Sequence, residues 1–236
     1  MKMDTPKYPN TNIFSDRTFE HIKAFMSLHT YQKDSFLFLE QELSDNLYYV
    51  EEGQIRMTKT TEDGKEMVLY LFQKGDLFGE LGVIGETQHR FNAKALRDSK
   101  VATITQRDVE SIILNHGDAA IEFVRWMGLM NQLIHTKLRD LLLYGKIGAL
   151  CSTLIRLSNS FGDSGENGVK ISKKMTNGEL ADLINTSRET VNRMLSDFKK
   201  NGIIEYSRDG EIIILDMEHL KKQCHCEGCP IEICRI

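Results

Sequence analysis

Cys224, Cys226, Cys229 and Cys234 crowd into the stretch CHCEGCPIEIC at 224–234 and make up four of the chain's five cysteines. Three or four clustered thiolates are the donor set of a soft metal, either a structural zinc ion or an iron–sulfur cluster. The spacing is one close pair, Cys226-x-x-Cys229, followed by a more distant Cys234, with Cys224 and His225 as further donors. Structural zinc more often uses two close pairs, whereas a proline directly after a cysteine, as Pro230 follows Cys229, is a habit of iron–sulfur loops. On spacing alone both metals stay open. The remaining cysteine, Cys151, lies in the apolar run IGALCSTLI and reads as a core residue.

A redox role for the C-x-x-C would need the pair at a helix start within a βαβ pattern, or a complete four-cysteine run. Neither context is present. No hydrolase triad and no phosphate-binding P-loop appears, so the chain is not expected to be an enzyme. The opening MKMDTPKYPNTNIF lacks the apolar core of a signal peptide, and no apolar run approaches the roughly 18 residues of a membrane span. The expectation is a cytoplasmic protein with no membrane partner. Thiols in that compartment stay reduced, which favours metal over disulfides.

A second group of residues has the chemistry of base recognition. In the helix that begins SRETVNRML at 187–195, Arg188, Glu189, Asn192 and Arg193 share one face, while Val191, Leu195 and, further along, Phe198 share the other. Arginine pairs bidentately with guanine O6/N7, and glutamate accepts from cytosine N4. Ser187 is an N-cap for this helix, and Thr176 with Glu179 is the capping pattern of the helix before it. Gly202 ends the recognition helix and Asp209-Gly210 turns a two-stranded wing. Residues 151–223 carry as many acidic as basic side chains (11 each), and the whole chain has a net charge of −4. Non-specific affinity for DNA is therefore modest, and specificity rests on direct readout by paired half-sites.

The elements that position these groups follow from pattern. Residues 31–106 read as short strands, among them FLFLE, LYYVEEGQIRMTK and EMVLYLF, broken by EEGQ, the TEDGK loop and QKGD. Asp63-Gly64 is a hairpin signal, and the set suggests a sandwich, barrel or roll. From Asp118 a long proline-free helix begins. Its stripe of Met127, Met130, Ile134, Leu138 and Leu141 reads as core or as a seam between two copies, and Gly145 and Gly148 mark a kink or break. FGDSGENG at 161–168 reads as a loop. The domain expectation is 1–117, a helix over 118–150, a DNA-binding domain over 151–223 and the cysteine tail at 224–236.

LYYVEEGQIRM at 47–57, GDLFGELGVIGETQHRF at 75–91 and SRETVNRML at 187–195 together resemble the CRP/FNR family of bacterial transcription regulators. The resemblance covers nearly the whole chain. The terminal CHCEGCPIEIC is similar to the Bacillus-type FNR branch, whose iron–sulfur cysteines lie at the C-terminus. It implies an α+β chain: an N-terminal β-roll (a cyclic-nucleotide-binding-like jelly roll), a long dimerisation helix and a C-terminal winged helix-turn-helix. It further implies one [4Fe-4S] cluster per subunit, held by Cys226, Cys229, Cys234 and Asp140 of the long helix, with Cys224 the rival fourth ligand and zinc the rival metal. By itself Asp140 reads as an exposed partner of Lys137 or Arg139. The implied function is an oxygen-responsive activator of anaerobic genes such as nitrate respiration. It would act as a homodimer on a TGTGA-type palindrome, together with RNA polymerase. In cyclic-nucleotide-binding relatives a Gly-Glu and an Arg-Ser hold ribose and phosphate; here Gly79-Glu80 and Arg90 remain, but Phe91 replaces the serine. Glu80 and Arg90 are thus either a vestigial pocket joined by a salt bridge or the site of a cyclic-nucleotide regulator with a zinc-stapled tail.

Overall fold

The computed structural model describes residues 8–62, 64, 66–82, 88–165 and 167–236. These separate into one unit of residues 8–131 and another of 132–236. In the first, α1 (Asp16–Ala24) is capped by Ser15, whose side chain accepts from the Thr18 N–H. The strands β1 (Ser27–Tyr31), β2 (Phe36–Phe38), β3 (Asn46–Glu52), β4 (Gln54–Thr60), β5 (Glu66–Gln73), β6 (Leu77–Gly79), β7 (Asn92–Ala95) and β8 (Ser99–Thr105) follow, then α2 (Gln106–Asn115). They form two antiparallel sheets of order β1-β8-β3-β6 and β2-β7-β4-β5.

The run LYYV in β3 has no polar alternation because both of its faces are buried. Leu47 and Tyr49 join Phe14, Ile104, Phe123 and Trp126 in one core cluster. Tyr48 and Val50 join Phe38, Ile55, Phe72 and Phe78 in another. Aromatic rings stack through that second cluster, Phe72 on Phe78 at 4.4 Å and Tyr48 on Phe78 at 5.4 Å between centroids. Gly64 has φ +80 at the β4–β5 turn, while Asp63, its expected partner there, lies outside the described residues.

In helix α3 (Gly117–Leu143) the expected stripe is divided, with Met130 against the core and Met127 and Leu138 exposed. In the first unit Ala119, Phe123 and Trp126 are buried and Met130 packs against the same core, so this side faces inward there. The exposed apolar residues are Ile121, Val124 and Met127 in the first unit and Leu138, Leu142 and Leu143 in the second. Apolar residues occur all round this helix, so periodicity does not choose the inward side; the large rings of Phe123 and Trp126 do.

In the second unit the helix breaks at Gly145, whose φ of +62 is a left-handed conformation that glycine adopts without cost. Helix α4 (Gly145–Phe161) then runs as the buried centre of the unit. Gly148 is no break. A Cβ there would stand 2.3 Å from the Tyr144 Cβ and 3.2 Å from the Gln223 carbonyl oxygen, so glycine allows α4 its close neighbours. The expected loop at 161–168 is instead largely a strand, β9 (Gly162–Gly165), paired with β10 (Gly168–Ile171). Its Gly, Asp and Ser residues read as turn formers, but pairing to β10 overrides that preference. Next come α5 (Asn177–Leu183), α6 (Arg188–Lys200), β11 (Ile204–Tyr206), β12 (Ile212–Ile214) and α7 (Met217–Gln223). The wing is part of a four-stranded sheet of order β11-β12-β10-β9.

Phe78 is 1% exposed. Truncation there removes a ring stacked on two others, so Phe78→Ala is expected to destabilise the first unit by about 3–5 kcal/mol. Urea unfolding measures this; a loss below about 1 kcal/mol would contradict the packing described.

Candidate metal centre and nucleic-acid interface

Asp140 is the centre of a buried ionic group and not the exposed partner that its sequence neighbours suggest. It is 3% exposed. Its Oδ1 accepts from Arg139 Nε at 3.0 Å and Arg139 Nη2 at 2.8 Å. Its Oδ2 accepts from Arg156 Nη2 at 2.9 Å and from the Ser152 hydroxyl. A carboxylate taken from water is tolerable only when its lone pairs are met in this way. Ser152 and Arg156 are one turn apart on α4, so that helix supplies both donors to Oδ2.

The same face of α4 holds the cysteine tail. Arg156 Nη1 donates to the Ile233 carbonyl at 3.0 Å, Asn159 Nδ2 to the Cys234 carbonyl at 2.6 Å, and the Ile236 N–H to the Ser160 hydroxyl at 3.0 Å. Arg139 reaches Glu227 at the other end of the tail, and the His225 ring stacks on Tyr144 at 4.8 Å. Arg156, Ser152 and Asn159 were not singled out by sequence reasoning. A signal existed: an arginine inside the otherwise apolar and small-residue run of α4 requires a buried acidic partner.

Cys226, Cys229 and Cys234 are half-buried, whereas Cys224 is buried. Burial pushes the Cys234 thiol up, against the pull of the Arg156 guanidinium, and Cys226, Cys229 and Asp140 are close enough to act on it electrostatically. The three tail thiols and the Asp140 carboxylate thus share one neighbourhood, with donor types that suit an iron–sulfur cluster with one hard ligand. They do not form a ready-made cage: among the described residues no group of three or more His, Cys, Asp and Glu side chains is poised to hold an ion. Asp140 would have to exchange a hydrogen-bond donor for a metal. Cys224 is more deeply buried than the other tail thiols, yet Cys226, Asp140 and Cys234 act on it electrostatically too, so it shares their neighbourhood. Its Sγ lies 3.6 Å from the Lys221 carbonyl, burial pushes its thiol up to about 11, and Cys151 feels its charge. Cys151 is fully buried, and burial pushes its thiol up to about 12.

The second candidate surface is built by α5 and α6. Thr176 caps α5 and forms the reciprocal capping box with Glu179. Ser187 caps α6, its hydroxyl accepting from the Thr190 N–H at 3.2 Å. Val191, Met194, Leu195 and Phe198 are buried, which leaves Arg188, Glu189, Asn192 and Arg193 exposed together. The Glu189 carboxyl is held below its ordinary range by its own main-chain N–H, then by the Ser187 hydroxyl and the Arg188 charge. It therefore stays an ionised acceptor at the helix start. Of the lysines nearby, Lys170 pairs with Glu211 at 3.2 Å and Lys173 lies over the Phe161 ring.

In the first unit Glu80 follows β6. Its carboxylate accepts from the main-chain N–H of Arg90 at 3.0 Å and stands 3.5 Å from Nδ1 of the buried His89, in place of the expected salt bridge to the Arg90 guanidinium. Burial alone would raise this carboxyl, but His89 and Arg90 outweigh it and hold it low. His89 stacks on Phe38 at 3.6 Å, and Phe91 packs against the same aromatic cluster. Residues 83–87 of the GELGVIGETQHRF motif lie outside the described residues.

Exposure orders the reactivity of the cysteines, and burial further holds back the Cys151 and Cys224 thiols. In metal-free protein at pH 8, iodoacetamide is expected to modify Cys226 and Cys229 first and Cys224 and Cys151 last, read by peptide mass spectrometry. Early labelling of Cys224 would contradict its buried placement.

Residues 28–116 match the model of the cyclic nucleotide-binding domain and residues 148–223 that of the Crp-like helix-turn-helix domain. The chain is 38% identical over 228 residues to the anaerobic regulatory protein of Bacillus subtilis, covering 96% of each. It is 28% identical over 203 residues to the cAMP-activated global transcriptional regulator CRP of Escherichia coli O157:H7, covering 85% of this chain and 95% of that one. Its fold is also similar to the solved structure of FixK2 from Bradyrhizobium japonicum, with a TM-score of 0.72 at 20% identity over 84% of this chain and 96% of that one. With both domain types in order and a relative of this identity matched along nearly its full length, the chain belongs to the CRP/FNR family of transcription regulators.

Proposed function

We propose that the protein is an oxygen-responsive regulator of anaerobic genes that binds a TGTGA-type palindrome as a homodimer. Cys226, Cys229, Cys234 and Asp140 are the residues that would hold a [4Fe-4S] cluster, one per subunit. When bound, the cluster supplies an oxygen-labile cross-link between the tail and α3. The single observation that carries this reading is Asp140, buried on a helix and joined through Arg156 to the Ile233 carbonyl beside Cys234 and through Arg139 to Glu227 beside Cys226. Likeness to the anaerobic regulatory protein of Bacillus subtilis supports the physiological side.

The chain's own residues divide the work. Arg139 and Arg156 offset the negative charge of the carboxylate and of ionised thiols, which lowers the cost of gathering them in a half-buried site. Arg156 and Asn159 hold the tail's main chain against α4. Arg188, Glu189, Asn192 and Arg193 present the base-reading groups, and Ser187 fixes the start of their helix. The exposed Ile121, Val124, Leu138 and Leu142 of α3 support a seam with a second copy. A dimer would set two copies of α6 roughly 34–36 Å apart for successive major grooves. As an activator the dimer works through RNA polymerase. The internal engagement of Glu80 and the packing of Phe91 favour a β-roll that needs no cyclic nucleotide.

The test is an anaerobic gel shift with a TGTGA palindrome. Protein kept from air should be brown and bind tightly, and should lose both colour and affinity on exposure to air. Equal binding before and after air, or one zinc per chain by metal analysis, would contradict the reading. On the DNA side, Arg193→Ala should lose about 1–3 kcal/mol of discrimination against a mutated half-site. An unchanged ratio of specific to non-specific affinity would remove Arg193 from the reading face.

A further inference from the structure

Asn192 is exposed on the reading face of α6, between Arg188 and Arg193. An exposed asparagine amide turns over at little cost, because its terminal torsion is broad and nearly two-fold. Such a side chain offers a base either a donor or an acceptor, or both together to adenine N6 and N7. This one is not free to choose. Asn177, the first residue of α5, donates from its Nδ2 to Asn192 Oδ1 at 3.1 Å. Asn177 is half-buried and follows Thr176, which the capping box ties to Glu179 through two reciprocal main-chain contacts, at 2.7 Å and 3.1 Å. The donor is therefore anchored to a fixed helix start, and the amide of Asn192 is held with its oxygen toward α5.

We infer that Asn177 is a positioning residue for sequence specificity: it turns Asn192 so that α6 presents an N–H donor at one step of each half-site. The inference rests on the DNA-reading role proposed for α6. Accepting from Asn177 uses one of the two Oδ1 lone pairs and sets the direction of the amide, so the coplanar bidentate grip on adenine is disfavoured. The favoured contact is then through the Nδ2 N–H donors, which select an acceptor at the major-groove edge, thymine O4 or guanine O6/N7. The identity of the base read by Asn192 is thus set by a residue outside the recognition helix.

The experiment is selection from a palindromic DNA library with randomised half-sites, using the anaerobic full-length dimer. Wild type should favour guanine or thymine at one position of each half-site by about tenfold. Asn192→Ala should erase that preference and leave the others. Asn177→Ala should weaken it at the same position and admit adenine. Asn177→Asp is the decisive variant. A carboxylate only accepts, so it would draw the Asn192 Nδ2 toward itself and turn Oδ1 outward, shifting the preference to adenine or cytosine, whose exocyclic amines donate. A merely structural role for Asn177 would lower affinity for all sequences alike without moving one position. Unchanged preferences in both Asn177 variants, or a uniform loss across the half-site, overturn the inference while the DNA-reading role stands. A wild-type protein that selects no sequence overturns that role and the inference with it.

Discussion

The carboxylate of Asp140 is shielded from water, and the second unit is organised around meeting its demand for donors. Two arginines and a serine answer it, from α3 and α4. Because Arg156 also grips the tail, one guanidinium fixes both the acid and the segment that carries the thiols. A hydrophobic replacement of the whole group could stabilise the unit equally well or better. The ionic group therefore makes most sense as a positioning device. It keeps a hard carboxylate oxygen in the neighbourhood of soft thiols while the charges are balanced by the protein itself.

The two units divide rigidity and chemistry differently. The first is built on stacked aromatic rings and a strand buried on both faces, and its Glu80 carboxylate accepts from the main-chain N–H of Arg90. The second concentrates its polar chemistry along α4 and α6. Its capping residues Thr176 and Ser187 fix where each helix of the helix-turn-helix begins, and hence where the exposed face of α6 points.

Much of this was legible in the sequence because it is written locally. Thr176, Glu179 and Ser187 announce helix starts through short-range hydrogen bonds, and the apolar set of Val191, Leu195 and Phe198 turns α6 unambiguously. The β character of 31–106 and the break near Gly145 were legible for the same reason. What was hidden depends on partners distant in sequence. Burial of Asp140 needs Arg156 and Ser152, which only the fold brings to it. The β9 strand is made of turn formers and exists through pairing with β10. The inward side of α3 is chosen by Phe123 and Trp126 among apolar residues that occupy every face. The short helices α1, α2 and α7 lacked a long enough period to stand out.

The hold on the tail has a consequence for what its sequence is allowed to be. Arg156 and Asn159 both grip main-chain carbonyls, those of Ile233 and Cys234, and the Ile236 contact to Ser160 is also made by the main chain. Such contacts recognise the path of the chain and are blind to the side chains along it. The register of the end of the tail is therefore written in α4, whereas its start is also read through side chains, Glu227 by Arg139 and His225 by Tyr144. Residues 233–236 are thus an exchangeable cartridge seated by chain path, and residues 225–227 a lock that answers to composition.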